Sequence, residues 1–197
     1  MTLYIVKYKG AFGFIKPWTA VRDAETFTQQ FLTPSIIEGI EKKLFPEFLG
    51  ETGIQKIVRH RLRYDKISTQ QEKTWSKGGF KAENERGVWK TNQGVIDRGI
   101  MINPVLHLAF NELVYAEKAL EQTICLTRNE DLAFPTDQLE CDETDFDKID
   151  GFELHYQKND NIVNQIFVGY NRFDSSKKMF GELRVYGNPV GILDEKY

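Results

Sequence analysis

The sequence predicts an α+β fold. Three observations carry that expectation. A short amphipathic stretch at residues 34–45 has one apolar stripe, made by Ile36, Ile37, Ile40 and Leu44 with Phe45 at its edge, and needs a sheet to lie on. Segments rich in β-branched and aromatic residues stand before and after it. The order then reads strand, helix, paired strands around an arm, helix, strands, with no regular strand–helix–strand repeat.

Leu3–Tyr8 reads as the first strand. Gly10, Gly13 and Pro17 interrupt the next stretch, which suits a bulge or a loop pressed on another backbone, and Lys16 and Trp18 put a cation and an indole there. Packing of Trp18 over the sheet edge competes with a binding role. Arg22–Gln30 is polar and is expected to hold a turn of helix. Thr33 stands where its hydroxyl can cap the first helix, and Pro34 takes the first helical position. Glu38 and Lys42 form a favourable i,i+4 pair, and Pro46 ends the helix near Phe45.

Ile54–Tyr64 reads as a strand. Arg59, Arg61 and Arg63 share one face of its pleat; Val58, His60, Leu62 and Tyr64 share the other. Arginines in a row repel one another unless an anion lies on them, so the face is either a solvated edge or a phosphate-binding row. Residues 68–94 then mix polar groups with Trp75, Phe80 and Trp89 and with Lys66, Lys77, Lys81 and Lys90 nearby, and bury little core. They read as an arm at about 64–95 that leaves the sheet after Tyr64 and returns near Val95. Aromatic rings beside cations suit base stacking and phosphate contact, or equally a protein interface.

Ile100–Val105 reads as a buried strand ended by Asn-Pro, and Leu106–Gln122 as a helix with His107 at its flank. Ile124–Leu126 is expected as a short strand. Residues 129–150 are acidic and are expected as a solvated loop; Asp137, Asp142, Asp145 and Asp147 do not fit an EF-hand. Phe152–Gln157, Gln165–Phe173 and Met179–Tyr186 read as strands, the first two joined by a polar turn through residues 158–161.

The 197 residues fit a single domain, 1–197, with the arm as its insertion. The net charge of −3 conceals a basic run from Lys56 to Arg98 and an acidic one from Glu130 to Asp150. No apolar run reaches membrane-spanning length and no signal-peptide pattern opens the chain, so a cytoplasmic protein without membrane contact is expected, with Cys125 and Cys141 as free thiols. Nucleotide-binding glycine loops, zinc-protease and nucleophile-elbow motifs are absent from the sequence. Lys56, His60 and Tyr64 share a strand face at steps of four, but such steps separate them by roughly 13 Å, too far for a joint active site. The expectation is therefore no catalytic residue, no metal and no cofactor.

Tyr8-Lys9-Gly10-Ala11-Phe12-Gly13-Phe14-Ile15-Lys16-Pro17-Trp18-Thr19-Ala20, followed by Phe31-Leu32-Thr33-Pro34-Ser35-Ile36-Ile37-Glu38-Gly39, resembles the opening of the small subunit that holds the 5′ handle of the guide RNA in type I CRISPR Cascade complexes. In that family a first strand ends in an F-x-x-F/I-x-P loop, and a helix opens on F-L-T-P-S with a glycine shortly after. The resemblance covers about residues 3–45. The arm at about 64–95 then takes the place of the family's thumb hairpin, and beyond Asn103 order and size alone match.

The resemblance implies a ferredoxin-like RNA-recognition fold of the repeat-associated mysterious protein type, with an antiparallel sheet, packed helices and a basic thumb. It implies a subunit that grips the guide-RNA 5′ handle and contacts the first backbone subunit and the large subunit. Target DNA is met through the complex, where the thumb intrudes between guide and target. RNA contact is expected from Lys16, Trp18, Arg59, Arg61, Arg63, Lys66, Trp75, Lys77, Lys81, Trp89 and Lys90. Most members are not enzymes. One subtype cuts precursor RNA with a tyrosine, a lysine and a histidine, which find no match here, and Gly169–Phe173 is too poor in glycine for the glycine-rich loop of the related nucleases. A metal-independent endoribonuclease and a protein-interaction module without RNA are the competing readings; precursor cleavage in chelator supports the first of these two, and salt-insensitive association the second.

Overall fold

The computed structural model describes residues 1–17, 25–75, 81–91, 93–156, 165–171, 174 and 177–191. The strands are β1 (Thr2–Gly10), β2 (Phe12–Gly13), β3 (Glu25–Phe27), β4 (Ile57–Arg63), β5 (Lys66–Trp75), β6 (Ala82–Glu85), β7 (Val88–Thr91), β8 (Gln93–Ile102), β9 (Val105–Phe110), β10 (Ile124–Cys125), β11 (Leu132–Asp142), β12 (Gly151–Tyr156), β13 (Ile166–Tyr170) and β14 (Lys178–Tyr186). The helices are α1 (Pro34–Leu44), α2 (Leu113–Leu120) and α3 (Glu143–Phe146), with a 3-10 turn at Pro46–Phe48.

The main sheet runs β10-β11-β1-β9-β4-β12-β14-β13 and is antiparallel throughout. β1 is central, and its alternation divides the core. Val6 and Tyr8 point to the side of α1 and α2, where Ile37, Ile40, Leu44, Phe45, Leu62, Leu108 and Ala116 bury. Leu3 and Ile5 point the other way, onto Ala109 and the Phe146 ring of α3. The Tyr8 hydroxyl donates to the Ala119 carbonyl (2.6 Å), tying β1 to α2. β4 and β12 meet at a single register pair, Leu62 with Phe152.

Helix α1 keeps the expected stripe, Pro34 at its start and the Glu38–Lys42 pair at 2.6 Å. Its cap differs. Thr33 is extended as a cap residue should be, but its hydroxyl lies against Ser35 Oγ (3.1 Å) and makes no side-chain cap bond. Glu41 is buried, and its carboxylate accepts backbone N–H groups of Gln55 (2.6 Å), Lys56 (2.7 Å) and Ile57 (2.7 Å). It thereby fixes the chain just before β4, which starts at Ile57 and not at Ile54.

Some expectations are overturned. The stretch expected as a helix from Leu106 opens as strand β9, buried at every position, and the helix is confined to Leu113–Leu120. A central strand covered on both faces has no polar side, so its apolar run matches a buried helix as well as a strand. The acidic segment at 129–150 is not a loop: β11 pairs with β1 between Ala133 and Asp142, and α3 follows, capped by Asp142, which accepts from Asp145 N (2.8 Å). A register shift opposite Lys7 and Tyr8 breaks its period of two, and its place near the sheet edge leaves Asp137, Glu140 and Asp142 exposed. Residues 25–27 form β3, parallel to β8, where a turn of helix is expected. There the Phe27 ring lies on Gly99, whose lack of a Cβ permits the approach. The polar turn at 158–161 falls outside the described residues. Among the described residues no helix is long and apolar enough to cross a membrane.

Candidate nucleic-acid interface

The arm is an antiparallel ribbon of β5 and β8, joined at its root by β2 and β3, which both pair with β8. β5 and β8 pair from Lys66 opposite Ile102 to Trp75 opposite Gln93. Ten residues at about 3.4 Å each carry it roughly 30 Å. Beyond it β6 and β7 form a hairpin whose two turn residues, Arg86 (φ 51°) and Gly87 (φ 83°), are both left-handed, as a type I′ turn requires. Asn84 Oδ1 accepts from Gly87 N (2.8 Å) and pins that turn.

Every residue from Lys81 to Thr91 is exposed, and Trp89 keeps 69 % of its surface. Lys66, Lys81 and Lys90 are exposed along the arm, Lys90 in an ion pair with Glu85, and Lys16 is exposed at its root. Trp75 lies in β5, where only its backbone pairing is described; Trp18 and Lys77 fall outside the described residues. The root is anchored by Phe14, whose buried ring has the Arg98 and Arg128 guanidinium groups at 5.2 and 5.4 Å. Arg128 in turn grips the buried Asp131 through two bonds of 2.8 and 2.6 Å, and Asp131 also accepts from Phe14 N (3.1 Å).

The arginine row is not a solvated face. Arg61 is fully buried, Arg63 is 5 % exposed and Arg59 is half-buried. Glu153 accepts from Arg59 Nε and Nη2 (3.1 and 2.7 Å), from Arg61 Nη1 and from His60 N (3.3 Å). Asp147 pairs with Arg59 at 2.8 Å, and both guanidinium groups lie 4.7 Å from the Phe146 ring. Burial alone raises the pKa of Glu153; hydrogen bonds from His155 and Arg59 and the charges of both arginines overcome it and hold the carboxyl well below the usual carboxylate range. Arg59 and Arg61 are thus engaged in internal ion pairs, a correction to the expectation that they offer themselves to phosphate. The reason is a strand more than eighty residues downstream, β12, which brings the carboxylate.

His155 and Tyr186 complete this cluster. Tyr186 Oη is 3.2 Å from His155 Nε2 and accepts from Arg59 Nη2 (3.3 Å), and His155 Nε2 is 2.9 Å from Glu153. Sequence reasoning misses both residues because no spacing signal links β4, β12 and β14; only pairing order does. Lys56 stands before β4 with its ammonium 4.2 Å from the Tyr115 ring, and Tyr64 donates to Gln30, so neither joins His60. Tyr64 stacks on Phe152 beside a groove of about 400 Å3 lined by Pro17, Gln30, Phe31, Phe152 and Leu183. Among the described residues no three His, Cys, Asp or Glu side chains converge as a metal site.

No family model matches the sequence. No curated protein matches it either. Among solved structures, the fold is similar to that of a chain described as "CRISPR RNA-guided surveillance complex", with a TM-score of 0.52, 12 % identity, and 99 % of this chain and 95 % of that one covered.

Proposed function

We propose that this chain is a subunit of an RNA-guided CRISPR effector complex that binds the 5′ handle of the guide RNA without catalysis. The observation that carries the reading is the arm: a ribbon with an exposed tryptophan and lysines, inserted between β4 and β9 of a sheet ordered β11-β1-β9-β4. Counting only β1, β4, β9 and β11, with α1 after the first and α2 after the third, the strand order is 4-1-3-2, which supports reading the sheet as ferredoxin-like, the arrangement of RNA-recognition domains. The arm is then the thumb, and residues 1–197 act as one RNA-recognition-type domain. The similar chain comes from an RNA-guided complex, which favours backbone and large subunits as partners and target DNA as something met through them.

The test is affinity for handle-containing single-stranded RNA across a salt series. Binding through phosphates gives a log–log slope of about −0.7 per contact. A salt-insensitive association assigns the arm to a protein interface instead. A second reading, a metal-independent endoribonuclease, is favoured by the hydrogen-bonded His155, Tyr186 and Arg59. Specific cleavage of precursor RNA in chelator, lost in His155→Ala, establishes it and removes the non-catalytic reading.

A further inference from the structure

Among the described residues, two buried polar atoms on the sheet face opposite α1 and α2 have no hydrogen-bond partner: Arg63 Nε on β4 and His107 Nδ1 on β9. The pairing register sets them close together. Across β4, β9 and β1, one row reads Arg61, His107, Lys7 and the next reads Arg63, Val105, Lys9. Side chains two apart on a strand share a face, so these cations and the imidazole form one grid at the root of the arm.

Among the described residues, carboxylates reach Arg61 and Lys7 but not Arg63. Glu153 and Asp147 take Arg61, and Asp137 stands 3.8 Å from Lys7. Arg63 Nη2 donates to the Gly191 carbonyl (2.7 Å), and among the described residues no carboxylate pairs with it. His107 is 7 % exposed and is faced by Lys7 from β1, by Arg61 and Arg63 from β4, and by Asp137 from β11. Burial, then those three cations, lower its pKa to about 4, against the opposing pull of Asp137. A buried N–H without an acceptor is rare and costly, and an arginine Nε is always a donor.

We propose that Arg63 and His107, rimmed by Lys7 and Lys9, form a binding site for a single phosphate-type oxyanion. The anion accepts from Arg63 Nε–H and from the Nδ1–H of a protonated His107, so it binds together with a proton. Lys7, with 22 % of its side chain exposed, pairs directly beside His107 on β1. The proposal rests on the RNA reading only in naming the natural ligand, a backbone phosphate of the guide.

The test uses the full chain with labelled imidazole nitrogens and sulfate as the probe, since its charge is constant from about pH 5 to about pH 7. At fixed ionic strength set with chloride, sulfate shifts the His107 resonances and binds roughly tenfold more tightly at the lower pH. His107→Gln abolishes that pH dependence, and Arg63→Gln weakens binding about tenfold or more. If either variant fails to fold, the His107 resonance of the unmodified chain decides alone: no shift with sulfate overturns the site. A pH dependence that survives in a folded His107→Gln also overturns it. Single-stranded RNA forms a second arm. Sulfate binding without RNA binding keeps the site and removes the RNA reading; RNA binding that leaves His107 unmoved does the reverse.

Discussion

The guanidinium of Arg61 lies 3.4 Å from the ring centroid of Tyr186 while its Nη1 donates to Glu153, so one fully buried cation is held between an aromatic face and a carboxylate. Neither partner is near it in sequence, and both come from the strands added beyond β4.

Breaking this cluster leaves a charge buried and unpaired, which costs about 3–5 kcal/mol. Glu153→Gln is therefore expected to destabilise the fold by that order, with a lower denaturant midpoint and an unchanged slope. Arg61→Met with Glu153→Gln should cost less than the sum of the two single changes, because the residues share one network. Additive losses in a urea-denaturation cycle would contradict the coupling.

Stability is expected to fall on acidification. Burial lowers the pKa of both His60 and His107 from 6.5 to about 4, so the unfolded chain takes up their protons first. The contribution is complete above pH 6.5 and is lost as pH falls toward 4, by about 3 kcal/mol per imidazole. The lowered pKa of Glu153 acts in the same direction, its contribution disappearing below its ordinary value of 4.5. Melting temperatures measured across this range check the slope, and His60→Gln should flatten it.

Glu41 is expected to matter more than its place on a surface-patterned helix suggests. Glu41→Ala strands three backbone N–H groups, at about 1–3 kcal/mol for each that stays dry. Glu41→Gln keeps one acceptor oxygen and should fall between. Amide hydrogen exchange at Gln55, Lys56 and Ile57 should quicken in the alanine variant before the rest of the sheet responds.

The arm should separate binding from folding. Trp89→Ala and the pair Lys81→Ala with Lys90→Ala touch exposed side chains, so the melting temperature should stay nearly constant. RNA affinity should drop by about 1–3 kcal/mol for the ring and, for the lysines, with a salt slope shallower by about 0.7 per lost phosphate contact. A large fall in melting temperature for Trp89→Ala would make that ring part of a core and remove the binding role.

Local patterning reads β1, α1, the arm and β14 directly, because each has a composition or period of its own. The Ile36–Leu44 stripe, the Pro34 and Pro46 boundaries and the polar, aromatic run after Lys66 all speak within a dozen residues. β9 and β11 do not. β9 is apolar on both faces, and β11 is polar enough to pass for a loop because β1 supplies the apolar side of their pairing. The arginine row shows the same limit. Its alternation on β4 is legible, but its counter-charge Glu153 arrives from β12 by a pairing that no local pattern announces.

The single register pair between Leu62 and Phe152 gives the sheet a seam. Hydrogen bonding runs from β10 to β13, yet between β4 and β12 the backbone contributes little; the join is completed by side chains, Arg59 and Arg61 on one side and Glu153 and Tyr186 on the other, and by Tyr64, whose backbone bonds Pro189 and Gly191 after β14. Loss of Glu153 should therefore loosen β12–β14 before the ladders of β1 to β9 and β11 respond, and burial of the Arg61–Glu153 pair should make that join insensitive to salt.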